Sequence, residues 1–171
     1  GIGTELALNG AAAHAFEHIL YKALLFMGAG AVLYMTGTAK LTRLGGLYKT
    51  MPLTMLFYVV GAVSISGFPL FSGFVSKSMI VAAAHEEGRL WLMNLLNLAG
   101  IGTFLSVGLK VTYFAFFGKG EPVTAKEPPA NMLWAMGLTS LACLVIGVWP
   151  DVLYRLLPFA NEFRPYNAHH L

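Results

Sequence analysis

Between Ala11 and Met35 runs an apolar stretch that carries three ionisable side chains in register. As a helix rising 1.5 Å per residue it covers about 37 Å, enough to cross a bilayer with some tilt. His14, His18 and Lys22 are spaced i, i+4, i+8 and climb one face of that helix, and Glu17 sits beside it. Ionisable groups are costly in hydrocarbon and normally face a bundle interior or a water-filled cavity. The row is therefore a candidate proton relay. Lys22 lies too deep in its span to snorkel easily to the headgroups.

The rest of the chain supplies the bundle. Hydrophobic residues make up 57% of the sequence and charged residues only 11%, against about 25% in soluble domains. The chain reads as an all-α transmembrane module of about five spans, one of them a discontinuous helix. The spans fall at 11–35, 51–68, 69–88 (broken), 90–117 and 131–150, within a single module covering 1–171. Pro52 sits where proline is tolerated at a helix start. Over residues 64–76, Gly67, Pro69, Gly73 and the serines at 64, 66, 72 and 76 interrupt the apolar run, and Lys77 follows at once. Irregular backbone at membrane depth persists only when buried in protein or lining an aqueous cavity. Lys77 is thus expected to be the functional partner of the first helix. Lys110 lies near the end of its span, can snorkel, and is at most an accessory. Trp91, Trp134 and Trp149 stand near segment ends as interfacial anchors.

Several classes are excluded or disfavoured. The net charge of +3 arises from Lys and Arg at segment ends rather than from one patch, so no nucleic-acid partner is expected. The single cysteine, Cys143, lies in an apolar run and offers neither a disulfide nor a thiolate metal site. No Gly-rich phosphate loop occurs, and no cofactor is expected. His14-Ala-Phe-Glu-His18 fits the H-x-x-E-H pattern of zinc peptidases. That chemistry needs a third ligand, and the downstream candidates His85 and Glu86 sit in a charged turn, so a peptidase or a purely structural fragment is a remote alternative. Counting five spans groups the 36–50 loop, the 85–89 turn and the C-terminal tail on one side, with the 118–129 loop opposite, and the excess of Lys and Arg in the first group marks that side as cytoplasmic. The chain starts with Gly, not Met, and reads as part of a longer protein or one whose start has been removed.

The residues from about 11 to 118 resemble the proton-antiporter family of membrane subunits. That family includes the large subunits of Mrp-type sodium/proton antiporters and the antiporter-like subunits of respiratory complex I. The resemblance rests on His14, His18 and Lys22 with Leu24-Leu-Phe and Gly28-Ala-Gly, then Leu44-Gly-Gly-Leu47 and Met51-Pro52. It continues through Gly67-Phe-Pro69, Ser72-Gly-Phe74 and Ser76-Lys77, and the D-type subunits of the Mrp antiporters look most similar. It implies about fourteen helices in two inverted repeats, each with a discontinuous helix, of which this chain would be a later part. It also implies an ion-transporting subunit rather than an enzyme, in a multi-pass bacterial inner membrane. Its partners would be other membrane subunits, the lipid bilayer, protons and sodium. The alternative is a proton-pumping subunit of a complex I or membrane-bound hydrogenase type assembly, without redox centres of its own. Glu17 is not part of the family pattern; it is read as a local addition to the relay.

Overall fold

A computed structural model describes residues 2–120, 125–160 and 162–166. Every regular element among them is helical: α1 (Glu5–Thr36), α2 (Pro52–Ser66), α3 (Ser72–Glu86), α4 (Leu90–Thr103), α5 (Ala130–Val148) and the short α6 (Asp151–Tyr154). Between α4 and Gly118 the same helix continues in wider turns, π1 (Phe104–Val111) and π2 (Tyr113–Phe117). Three helices are long and apolar enough to cross a membrane: Glu5–Thr36, Leu90–Phe117 and Ala130–Val148. α2 and α3, of 15 residues each, fall within 51–68 and 69–88.

α1 is closed at both ends by local chemistry. The Thr4 hydroxyl accepts from the Ala7 N–H at 3.2 Å, and left-handed Gly37 donates to the Leu33 carbonyl at 2.8 Å. α2 starts on Pro52, but its preceding residue, Met51, gives no side-chain cap. A distant carboxylate supplies one instead. Glu127 Oε1 accepts from the Leu53 N–H at 2.5 Å, and Oε2 accepts from the Thr54 hydroxyl at 2.6 Å. An anion at a helix N-terminus meets both unpaired N–H groups and the positive end of the helix dipole. The loop carrying Glu127 is thereby tied to the end of the bundle where α2 begins.

α2 and α3 succeed one another along α1, both antiparallel to it. Tyr58 lies over Gly28 and Gly61 against Leu24 and Leu25; then Gly73 meets Tyr21, Ser76 meets Glu17, and Ile80 meets Gly10. The two 15-residue helices are thus consecutive halves of one rod interrupted at 67–71. The interruption is shorter than the 64–76 expected. Ser64 and Ser66 stay helical because their hydroxyls bond back to Val60 O at 2.7 Å and Ala62 O at 2.6 Å. Gly73 is helical as well. Its role is close approach, since a Cβ there would collide with the Ser64 carbonyl oxygen. Of the small-residue pair in α1, Gly28 packs under Tyr58 while Gly30 meets nothing.

This arrangement corrects the loop grouping that follows from five separate spans. Tyr48 N–H donates to the Phe116 carbonyl at 3.2 Å, and Gly120 lies against the Leu44 carbonyl. The 36–50 loop and residues 118–120 therefore share one end of the bundle. Asn9 and Phe159 join the chain start to the tail at the other end, by bonds of 3.0 and 3.1 Å. Counting loop sides failed because α2 and α3 run in the same direction.

The apolar core lies where α1, α2 and α5 meet, around Tyr21, Leu24, Met51, Tyr58, Met136 and Cys143. α4 and π1 bury no residue, and Leu98, Ile101, Leu105 and Leu109 are exposed. A helix that is apolar and exposed all along one side faces lipid or neighbouring protein.

Candidate functional site at the interrupted helix

The break is built from a glycine cap, a strained leucine and a lysine. α2 ends in a Schellman motif: Gly67 is left-handed at φ 75°, its N–H donates to Ser64 O, and Phe68 N–H donates to Val63 O. Leu70 also has positive φ, at 71°, which a branched side chain rarely adopts. It is held there because α5 packs on it, with Gly147 against the Leu70 carbonyl and the Phe71 backbone. From the second turn of α3, Lys77 then reaches back over the gap. Its Nζ donates to the Ile65 carbonyl at 2.6 Å. The last carbonyls of any helix lack intrahelical partners and form the negative end of its dipole, so an ammonium is well placed there.

A cavity of about 950 Å³ opens beside this bond. Its walls are His14 from α1, Ser66–Pro69 from the break, Phe74, Lys77 and Ser78 from α3, and Asn97 and Thr103 from α4. His14 and Lys77, widely separated in the chain, thus face one space. His14 Nδ1 is 3.0 Å from Ser76 Oγ, and Ser76 Oγ donates to Glu17 Oε2 at 2.5 Å. Glu17 is fully buried, and its other oxygen has no partner among the described residues.

The remaining sequence candidates sit differently. His18 is exposed, with its ring centroid 6.0 Å from that of His14 and its edge toward Tyr21. Lys22 is half-buried, and its Nζ lies 5.8 Å above the exposed Phe26 ring. Neither lines the cavity. Lys110 is exposed on π1, two residues beyond Gly108, which packs on Ala62 and Ser66 beside the break. The break thus finds its partner in α1 through His14 and Glu17, one turn or more from Lys22. No group of three His, Cys, Asp or Glu converges among the described residues, and Glu17 faces Ser76 while His18 faces outward. Sequence reasoning took Ser76 only as a helix-interrupting motif residue and passed over Asn97. An asparagine inside the apolar stretch 90–103 was the available signal for the second.

An all-helical apolar bundle whose interrupted helix gathers ionisable side chains is an antiporter-like integral membrane module. Comparison with known proteins gives the family. Residues 1–106 match the sequence profile described as "NADH:quinone oxidoreductase/Mrp antiporter, TM". The chain is 36% identical over 159 residues to the A/B-type subunit of a probable K(+)/H(+) antiporter of Rhizobium meliloti, covering 87% of this chain and 16% of that one. It is 37% identical over 119 residues to the D-type subunit of the Na(+)/H(+) antiporter of Alkalihalophilus pseudofirmus, covering 70% of this chain and 24% of that one. A solved structure, the Mrp complex from Dietzia sp. DQ12-45-1b, superposes with a TM-score of 0.82 at 22% identity, over 89% of this chain and 36% of that one. The chain belongs to the NADH:quinone oxidoreductase/Mrp antiporter transmembrane family, and it spans a minor part of the length of these relatives.

Proposed function

We propose that the chain is a proton-conducting part of a multi-subunit monovalent cation/proton antiporter in a bacterial plasma membrane, with sodium as the exchanged cation. α2 and α3 form one discontinuous crossing, and its break is the point where protons pass. The observation that carries this reading is the single cavity bordered by His14 and Lys77, with the Lys77 ammonium bonded to the end of α2. A lysine at such a site holds a proton against the helix dipole and gives it up when the local charge changes. Histidine exchanges protons at low cost near neutral pH. His14, Lys77, His18 and Lys22 are the path. Glu17 and Lys110 are accessories to it. His18 and Lys22 lie on the open side of α1, where a further helix or a neighbouring polypeptide covers them in the assembly. The exposed apolar face of α4 supports membrane-subunit partners.

The family description supports a second reading, in which the same module sits in a respiratory complex and is driven by remote redox chemistry. The companion subunits separate the two.

The test is cation-dependent pH change in vesicles holding the whole complex, with assembly measured in parallel. Transport is expected to fall strongly in Lys22→Met and Lys77→Met and to stay near parental in Lys110→Met. Parental rates in both of the first two variants remove the reading. Sodium replaced by potassium in the same vesicles tests the cation.

A further inference from the structure

Among the described residues, Glu17 is the one Asp, Glu, Lys or Arg that is fully buried. It lies on the face of α1 that packs on α3, about 60° around the helix from His14 and about 100° from His18. Neither Glu17 nor Ser76 borders the cavity; His14 does. The three side chains therefore form a line leading inward from the cavity wall: imidazole, hydroxyl, carboxyl, with steps of 3.0 Å and 2.5 Å. Glu17 Oε1 is the end of that line and has no partner among the described residues. Buried polar atoms in folded proteins almost always have partners. A sealed carboxyl with one free oxygen and no cation against it among the described residues is a costly place for a fixed negative charge and a suitable one for a proton.

We propose that Glu17 is a proton-storing site off the histidine–lysine path, loaded from the cavity through His14 and the Ser76 hydroxyl. This deepens the proposed function and rests on it. The transfer balances without any further reactant. In the unloaded state His14 Nδ1–H donates to Ser76 Oγ, whose own proton is donated to Glu17 Oε2. The Ser76 proton moves to Oε2 as the Nδ1 proton moves to Oγ, so an O–H bond forms at each acceptor as one O–H and one N–H break. The result is a neutral carboxyl donating to Ser76, whose hydroxyl now donates to the lone pair on Nδ1. Net, one proton passes from imidazolium to carboxylate, leaving a neutral imidazole protonated at Nε2, and the reverse steps return the stored proton to Nδ1. Ser76 immediately precedes Lys77, so the store and the cavity lysine are carried by one turn of α3.

The test uses the assembled complex in vesicles, with Glu17→Gln, Ser76→Ala and Ser76→Thr compared with the parent. Glu17→Gln keeps the shape and a hydrogen bond but cannot be protonated. Ser76→Ala removes one oxygen, and Ser76→Thr restores the hydroxyl. Proton transport is expected to fall by on the order of a hundredfold in the first two, the lower end of what a positioned proton-transfer group contributes. Ser76→Thr is expected to recover most of it. Infrared difference spectra of the parent are expected to contain a deuterium-sensitive protonated-carboxyl band that Glu17→Gln removes, which a merely structural carboxylate would not give. Should Glu17→Gln fail to assemble, Ser76→Ala decides alone. Parental transport in Glu17→Gln or Ser76→Ala, or no carboxyl band assignable to Glu17, overturns the store. If transport also survives Lys22→Met and Lys77→Met, the antiporter reading falls with it. If those two variants are inactive, only the store is lost.

Discussion

The ammonium of Lys77 bonds to the carbonyl of Ile65, twelve residues earlier and across the break, at 2.6 Å. On the proposed path this one side chain has two duties, holding the end of α2 and carrying charge. The duties separate by substitution. Arginine keeps its charge at any accessible pH, so Lys77→Arg can still bond the α2 carbonyls but cannot release a proton. The expected outcome is an assembled complex melting near the parent and transporting poorly. Lys77→Met loses both duties and should also melt lower, because an orphaned buried carbonyl costs about 1–3 kcal/mol. Equal melting of the two variants would show that the bond to Ile65 contributes little.

Gly67 and Gly73 make contrasting predictions. Alanine at Gly67 must hold φ 75°, at roughly 1–2 kcal/mol, and its Cβ would stand 2.8 Å from Lys77 Cδ. That flexible stem can move, so Gly67→Ala should assemble with Lys77 displaced and transport reduced. Alanine at Gly73 meets the rigid Ser64 carbonyl instead, and no side-chain shift relieves it. Gly73→Ala should fail to assemble. Expression and size-exclusion profiles of the two complexes, read beside transport, check the contrast.

The cap from Glu127 gives a prediction at the end of the bundle. Glu127→Ala removes the carboxylate from the Leu53 and Thr54 N–H groups and from the Thr54 hydroxyl. The expected cost is about 1 kcal/mol, typical of a lost N-cap, with the break untouched. A lowered melting temperature with parental transport per assembled complex is the signature. A transport defect without a melting change would place Glu127 on the ion path instead.

Much of the bundle was legible because membrane helices announce themselves by length and apolarity, and because Gly67 and Pro69 are hard to accommodate in a regular helix. The face of α1 was not legible. In a bilayer every side of a helix can be apolar, so hydrophobicity does not choose which stripe packs inward. Shape chose it. α3 brings Gly73 and Ser76, small enough to seat against Tyr21 and Glu17. That buried Glu17 and left His18 outside, although spacing alone favours the histidines and lysines and makes the carboxyl an accessory. The wide turns of 104–117 were also invisible, since a π-helix and an α-helix of the same residues share one composition.

The tail has a mechanical consequence. The Tyr166 hydroxyl donates to the Gly147 carbonyl while its ring stacks on Phe74 at 5.6 Å, and Gly147 itself rests on Leu70 and Phe71. The gap between the half-helices is therefore riveted to α5 from the side and braced by Tyr166. Two rods joined by five unsupported residues would flex like an elbow. Fastened in this way, the junction is a braced frame, and on the proposed path charge travels through the side chains beside it while the backbone keeps its shape.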